Sequence, residues 1–315
     1  MIMLNTVFYY VLNMSINACF IILFMLLLRN IRAIPRTFVY GFWSVAFIRL
    51  LVPFAISSPF SLFNFTGNLI KRIISVDTII TEFEKVPFDL STTNAIGAAK
   101  DYFPVTYKTT QIRDIFVVSS NIWLIGVLVS LLTAVILYAF TRAELKKAIR
   151  IRDNIYSSPM LMSPVLVGII KPKIILPSTF DPDCSSAEYV IAHENVHKKR
   201  LDNLWRMLGI TIVCLHWFNP FAWILLKYFF ADMELSCDEK IVKNYDTAKR
   251  KEYANTLVNF AEDKKLLMSA AFGKTTVKVR VINVLNYRRM TTIGASVSIL
   301  FLLAIAAALI TNPHL

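Results

Sequence analysis

The sequence predicts a mainly α-helical integral membrane protein: a four-span helical bundle carrying a cytosolic domain with a small β element. Composition is the first ground. Hydrophobic residues make up 56% of the 315 positions and charged residues only 17%, whereas soluble domains are about a quarter charged. Distribution is the second, because the apolar residues gather in blocks of spanning length instead of recurring at core spacing. Charge asymmetry between the polar segments is the third. The net charge of +13 would also suit a nucleic-acid binder, but no recognition helix or aromatic platform accompanies it, so direct nucleic-acid contact is not expected. The basic residues read instead as cytosolic groups that set orientation and attract anionic lipid.

Four segments reach spanning length, at about 5–28, 37–63, 116–140 and 291–311. The first contains Asn13, Ser15 and Asn17, polar residues suited to a face turned toward other helices. Its start, MIMLNTVFYYVLN, has no basic leader region and no A-x-A-like cleavage site follows, so an uncleaved span is expected rather than a signal peptide. The second carries Arg49, Pro53 and Pro59 and is predicted as a kinked span with its arginine facing the bundle interior, since an isolated charge in lipid is costly. Between these two, RNIRAIPR (29–36) holds three arginines and no acid and is placed inside. The 64–115 loop balances six basic against six acidic residues and is placed outside. Segment 142–290 holds 24 basic and 15 acidic residues, a surplus of nine that places it in the cytosol and the N-terminus outside. The expected organisation is therefore a membrane bundle over 1–141, a cytosolic domain over 142–290, and a fourth span with a short external tail over 291–315.

Within the cytosolic segment, RAELKKAIRIRDN reads as a basic helix continuing from the third span. SSPMLMSPVLVGIIKPKIILP follows, with β-branched runs broken by Gly168, Pro172 and Pro177, and predicts short strands in a hairpin or edge arrangement. A helix then runs through His193, capped by Ser185 or Ser186, with Glu188 in its first turn. The apolar block 204–230, interrupted by HWFNP, predicts a helical hairpin in or dipping into the membrane, with Asn219–Pro220 at its turn. Cys19, Cys184, Cys214 and Cys237 form no CxxC pair and no metal-ligand spacing, and read as reduced thiols.

The chemistry lies in IAHENVHKKR. His193 and His197 stand four apart, so on a helix both imidazoles leave one face, which suits two ligands of one Zn²⁺. Glu194 beside them can take a proton from water. A hydrolytic zinc needs a third protein ligand and an open position. ADMELSCDEK supplies Glu234 as that ligand and Asp238, four residues on, to orient a ligand histidine through its other nitrogen; Glu239 is the alternative for this second role.

SPVLVGIIKPKIILP (163–177), AHENVHKKRLDNLW, LHWFNPFAW (215–223) and DMELSCDE (232–239), in this order, resemble the BlaR/MecR-type membrane metallopeptidases, the antirepressors of β-lactam resistance. The resemblance runs from the first span to the fourth. It implies a four-span gluzincin of the bacterial cytoplasmic membrane, facing the cytosol, with zinc on His193, His197 and Glu234 and Glu194 as general base. It further implies loss of a cytosolic BlaI/MecI-like winged-helix repressor on activation, and self-cleavage. Membrane lipid and a homodimer are the other expected partners. The departure from the pattern is at the end: the sequence stops at TNPHL (311–315), where those sensors continue into a penicillin-binding domain. A sensorless relative or a truncated product is expected, with the 64–115 loop as the outward surface for a signal.

Several points stay open from the residues. The donor for the oxyanion is not identified; His216 is expected with Trp217 at the membrane interface instead. The strands of 163–177 present either an edge for an extended substrate or a structural hairpin. SAAFGK (269–274) is either a self-cleavage site or a plain loop, and the basic residues of 278–289 are expected at the inner leaflet. Rival functions are a membrane quality-control protease and a non-enzymatic receptor with structural zinc; Glu194 speaks against the latter, because a structural site needs no base.

Overall fold

The computed structural model describes residues 2–31, 34–61, 90–92, 110–161, 163–184, 186–262 and 277–313. The membrane part begins with α1 (Ile2–Arg29) and α2 (Arg36–Leu51), followed by strand β1 (Phe54–Ser58). β2 (Leu90–Thr92) leads, further along the chain, to the long α3 (Thr110–Leu145). The 64–115 loop otherwise lies outside the described residues up to the start of α3. Next come β3 (Ile149–Arg152), β4 (Ile155–Ser158), β5 (Val165–Val167) and β6 (Lys173–Pro177). The helices α4 (Ala187–Arg200), α5 (Asp202–Leu215), α6 (Pro220–Val242), α7 (Thr247–Glu262) and α8 (Val277–Leu285) follow, then α9 (Thr292–Ile310) and the two-residue strand β7 (Asn312–Pro313).

Among the described residues three helices are long and apolar enough to cross a membrane: α1 from Val7, α3 from Ile115, and α9. The second expected span differs. α2 has 16 residues, about 24 Å at 1.5 Å per residue against a hydrocarbon core of about 30 Å. It ends where Pro53, which has no N–H to give, follows Val52, and the chain turns into β1 instead of a kinked helix. α2 is also well enclosed, with Trp43, Ala46 and Leu50 fully or almost fully buried among α1, α6 and α9. Arg49 is buried as expected and donates to the carbonyl oxygens of Leu309 and Thr311 at the end of α9. β7 pairs in parallel with β1, which also pairs with β2. The ends of α2 and α9 are thereby clamped at the same end of the bundle.

α3 and α9 form the outside. Their apolar side chains are exposed along the helix, for example Ile122, Ile125, Leu128, Leu132, Leu300 and Leu303. A surface of that kind is stable only against lipid or another apolar partner. α3 meets α1 through Trp123 and Val127 packed on Val11 and Met14. Gly126 makes room for Trp217, since a Cβ at this glycine would come within 2.3 Å of the indole.

α5 and α6 form the expected hairpin, with Asn219 capping α6 by accepting from the Phe221 N–H and Pro220 at its first position. The hairpin runs along α2. At its base Tyr40 donates to Asp202, and at its tip His216 donates through Nε2 to the carbonyl of Leu50, ten residues further along α2. Ser15 lies 2.6 Å from the other nitrogen of His216. This histidine is fully buried and closes the hairpin tip onto α1 and α2, in place of the interfacial position expected from its neighbour Trp217. A histidine with both nitrogens satisfied inside a bundle is cheaper to bury than to leave against lipid.

A second correction concerns RAELKKAIRIRDN. The helix stops at Leu145, and the rest forms the β3–β4 hairpin around Asp153, whose φ is +42°. The alternation in AIRIRDN is a strand pattern that the preceding helical run masks. The sheet order is β3-β4-β6-β5, antiparallel except for the β4–β6 pair, with β5 on an edge. The expected 163–177 hairpin is present as β5–β6, turned at Gly168 with φ +99°. Ile155, Leu166, Ile174 and Leu176 bury one face against Val190 of α4. Ser186 holds the N-cap position of α4 without a side-chain cap bond, and Ser185 lies outside the described residues.

Candidate metal centre and active site

α4 carries His193 and His197 one turn apart, so both imidazoles reach the same side. Their Nε2 atoms lie 3.1 Å apart. α6 crosses this face and brings the Glu234 carboxylate to 3.2 Å from His193 Nε2 and 3.5 Å from His197 Nε2. Ligand atoms around a tetrahedral zinc at about 2.0–2.1 Å stand roughly 3.3 Å from one another. Two imidazole nitrogens and a carboxylate at 3.1–3.5 Å therefore fit such an ion. Glu194 follows His193 on α4 and is 8% exposed. Asp238, one turn beyond Glu234 on α6, is fully buried.

The two histidines, Glu234 and Asp238 are each held from behind. Asp202 accepts from His197 Nδ1 at 2.6 Å. Since an ionised carboxylate only accepts, the Nδ1 carries the proton and the Nε2 lone pair is left free for a metal. His193 Nδ1 reaches the Tyr253 hydroxyl at 3.0 Å, and that hydroxyl donates to Asp238 at 2.6 Å. Asp238 also lies 3.4 Å from the same nitrogen, so its expected role toward a ligand histidine has a geometric basis, direct and through Tyr253. Glu239, the alternative, points elsewhere: it accepts from the backbone N–H groups of Arg36 and Thr37 and caps α2. Arg206 of α5 donates to Glu234 Oε1 at 2.8 Å. Arg280 of α8 grips Asp238 with two bonds of 2.7 Å and lies 3.3 Å from Glu234 Oε2.

Charge is dense here. Burial alone would push the Asp238 carboxyl up, but Arg280 outweighs it and holds the group at about 2. Burial likewise opposes ionisation of Asp202, and the His197 and Arg200 contacts lower it nonetheless. Glu234 is held well below the usual carboxylate range against its burial, by His197, His193 and Arg280.

Cys237 competes as a ligand. Its sulfur lies within 4.8 Å of a nitrogen on each histidine, a proximity that the spacing of the cysteines in the sequence does not show. Its contact to His193 is on the Nδ1 side, at 3.5 Å, and it bonds the carbonyl of the same residue. The two Nε2 atoms and the Glu234 carboxylate lie on the other side of that ring. Both Cys237 and Glu234 thus stand within reach of the two histidines, on different sides of the His193 ring. A cavity of about 500 Å³ lies on the opposite face of α4, beside Asp183, Glu188 and Asn195, away from all of these groups.

The outer edge of β5 borders the centre. Leu166 and Gly168 line a small cleft with His197 and Asn203. The Asn203 amide donates to the carbonyl oxygens of both Leu166 and Gly168 at 2.9 Å, standing where the backbone of an added strand would bond.

Sequence reasoning missed Asp202, Tyr253, Arg206 and Arg280. Asp202 had a signal, an acid five residues after the second histidine at the start of the next helix. Arg280 had been expected at the inner leaflet with its basic neighbours, yet its side chain is 11% exposed and enters the centre. Arg289 is exposed and bonds the carbonyl of Lys243 and the side chain of Asn244. SAAFGK lies outside the described residues.

Residues 9–284 match the family model described as BlaR1 peptidase M56. The chain is 28% identical over 257 residues to the regulatory protein BlaR1 of Bacillus licheniformis, which covers 70% of this chain and 42% of that protein. It is 21% identical over 251 residues to the methicillin resistance mecR1 proteins of Staphylococcus aureus and Staphylococcus epidermidis, covering 75% of this chain and 43% of theirs. The chain thus spans less than half the length of these relatives. Every residue named at the centre lies within the matched region, and the chain belongs to the BlaR1 peptidase M56 family.

Proposed function

We propose that the chain is a zinc metalloendopeptidase of the bacterial cytoplasmic membrane, acting at the cytosolic face. His193, His197 and Glu234 are its metal ligands, Glu194 its general base, and Asp238 with Tyr253 the support behind His193. The carrying observation is the convergence of His193 Nε2, His197 Nε2 and the Glu234 carboxylate within 3.5 Å. The basic surplus of 142–290 supports the cytosolic placement. The shared end of α2 and α9 at the β1–β7 pair supports alternating crossings, with α2 as a short fourth one and the N-terminus outside.

When bound, zinc supplies Lewis acidity, lowering the pKa of water and polarising a carbonyl. Glu194 takes a proton from the attacking water as its oxygen bonds to the peptide carbon, and passes that proton to the amide nitrogen as the C–N bond breaks. Arg280 presents a fixed positive charge beside the ligands and is the donor for the carbonyl oxygen that the sequence left unidentified. The outer edge of β5 receives the extended substrate once Asn203 gives way.

The resemblance to antirepressors and the matched relatives support a regulatory role in an antibiotic response, with a cytosolic BlaI/MecI-like repressor or the chain itself as substrate. Purification in detergent with metal analysis tests the reading. Wild type and Glu194→Gln should both retain about one zinc per chain, and only wild type should cut a candidate repressor. Equal cleavage by both proteins defeats the assignment.

A further inference from the structure

We propose that Tyr40, on the enclosed membrane helix α2, is a positioning residue for the metal ligand His197, acting through Asp202. The inference rests on the reading of His197 as a ligand. Asp202 has no exposure to solvent and its carboxylate is fully engaged. Oδ2 accepts from His197 Nδ1 at 2.6 Å, and Oδ1 accepts from the Tyr40 hydroxyl at 2.9 Å. Arg200 supplies the remaining contacts, at 3.1 Å to Oδ1 and 3.0 Å to Oδ2.

The origins of these donors separate their roles. His197 and Arg200 belong to α4, and Asp202 opens α5 immediately after it, so these three share one turn of chain and move together. Tyr40 is set from a different body. Its ring stacks on Phe229 of α6 at 5.3 Å and faces the Arg200 guanidinium at 4.3 Å. Its helix is tied at the near end by Glu239 on the Arg36 and Thr37 N–H groups. At the far end Arg49 ties it to the chain end of α9. Tyr40 thus refers the orientation of His197 to the membrane bundle. A buried carboxylate that loses one of its donors rotates or relaxes toward the others, and the imidazole it holds follows.

Zinc affinity tests this, measured by competition with a fluorescent chelator on the full chain in detergent. Tyr40→Phe keeps the ring stacking and removes only the hydroxyl. It should weaken zinc binding on the order of tenfold with only a modest fall in the melting temperature of the metal-free protein, since Arg200 still holds both oxygens of Asp202. Asp202→Asn should weaken it at least as much. Trp43→Phe is the control for general loosening, because Trp43 on the same helix bonds Asp232, which touches none of the ligands; its zinc affinity should match wild type. Wild-type zinc affinity in Tyr40→Phe overturns the proposal, as does an equal loss in Trp43→Phe. His197→Ala separates the two levels: if it binds zinc as wild type does, the ligand assignment itself fails, whereas its loss of zinc beside an unaffected Tyr40→Phe overturns only the role of Tyr40.

Discussion

Replacing Arg280 with methionine probes how Asp238 is maintained as a buried anion. The carboxylate has no exposure, and Arg280 holds it with Nε and one terminal nitrogen, each at 2.7 Å. Its remaining strong donor is the Tyr253 hydroxyl at 2.6 Å. Removing one partner of a buried ion pair costs about 3–5 kcal/mol, because the other charge is left in a poorly solvating site. The depressed carboxyl of Asp238 expresses the same contacts as a linkage. Held at about 2 against an ordinary 3.8, it contributes about 2 kcal/mol of stability at 1.36 kcal/mol per unit. A lowered carboxyl stabilises the folded state above its unfolded pKa, so this contribution is complete above about pH 4 and is lost as the pH falls through about 2. The linkage value is the smaller because it already includes the burial penalty that opposes ionisation. Denaturant unfolding in detergent at pH 7, with metal absent from all samples, should show Arg280→Met destabilised by about 3–5 kcal/mol. Adding Asp238→Asn should return more than half of that loss, since the orphaned charge is then gone. A single Arg280→Met variant within about 0.5 kcal/mol of wild type, or a double variant no better than the single one, would refute the argument.

Other consequences are open to equally direct measurement. Glu239→Ala leaves the first N–H groups of α2 without their acceptor in a buried setting and should cost about 1–3 kcal/mol, read by unfolding. Gly126→Ala should destabilise the bundle by about 1–3 kcal/mol through the clash with Trp217, and Trp217→Leu in the same chain should recover part of it. Stripping the metal with a chelator should lower the melting temperature and restoring zinc should raise it, by an amount equivalent to about 2.7 kcal/mol at a hundredfold excess over Kd. His193→Ala and His197→Ala should abolish that response.

The membrane class and the helix bearing the two histidines were legible because both are local patterns: long apolar blocks, and a four-residue spacing that any helix turns into one face. Glu234 was singled out by the same logic, from its ExxxD pattern on a second helix, and the hairpin brings its carboxylate to 3.2 Å from His193 Nε2. The failures are also informative. AIRIRDN formed a strand where the basic helix was extended, because its alternation is short and borders a strongly helical run. The second span came out as a 16-residue helix and a strand, because apolar content does not show where proline ends a helix.

By itself, then, the sequence determined that this chain spans a membrane and that His193, Glu194 and His197 share a helix, since composition and helical period act within a few turns. Only tertiary structure decided what stands behind those side chains. Tyr40 bonds Asp202 from 162 residues away, Tyr253 meets His193 from 60 and Arg280 holds Asp238 from 42, and nothing in their immediate surroundings distinguishes them from other tyrosines and arginines. Their roles arise because burial forces every charged or polar group at the centre to find a partner, and the folding of the helices brings that partner from a distant part of the chain.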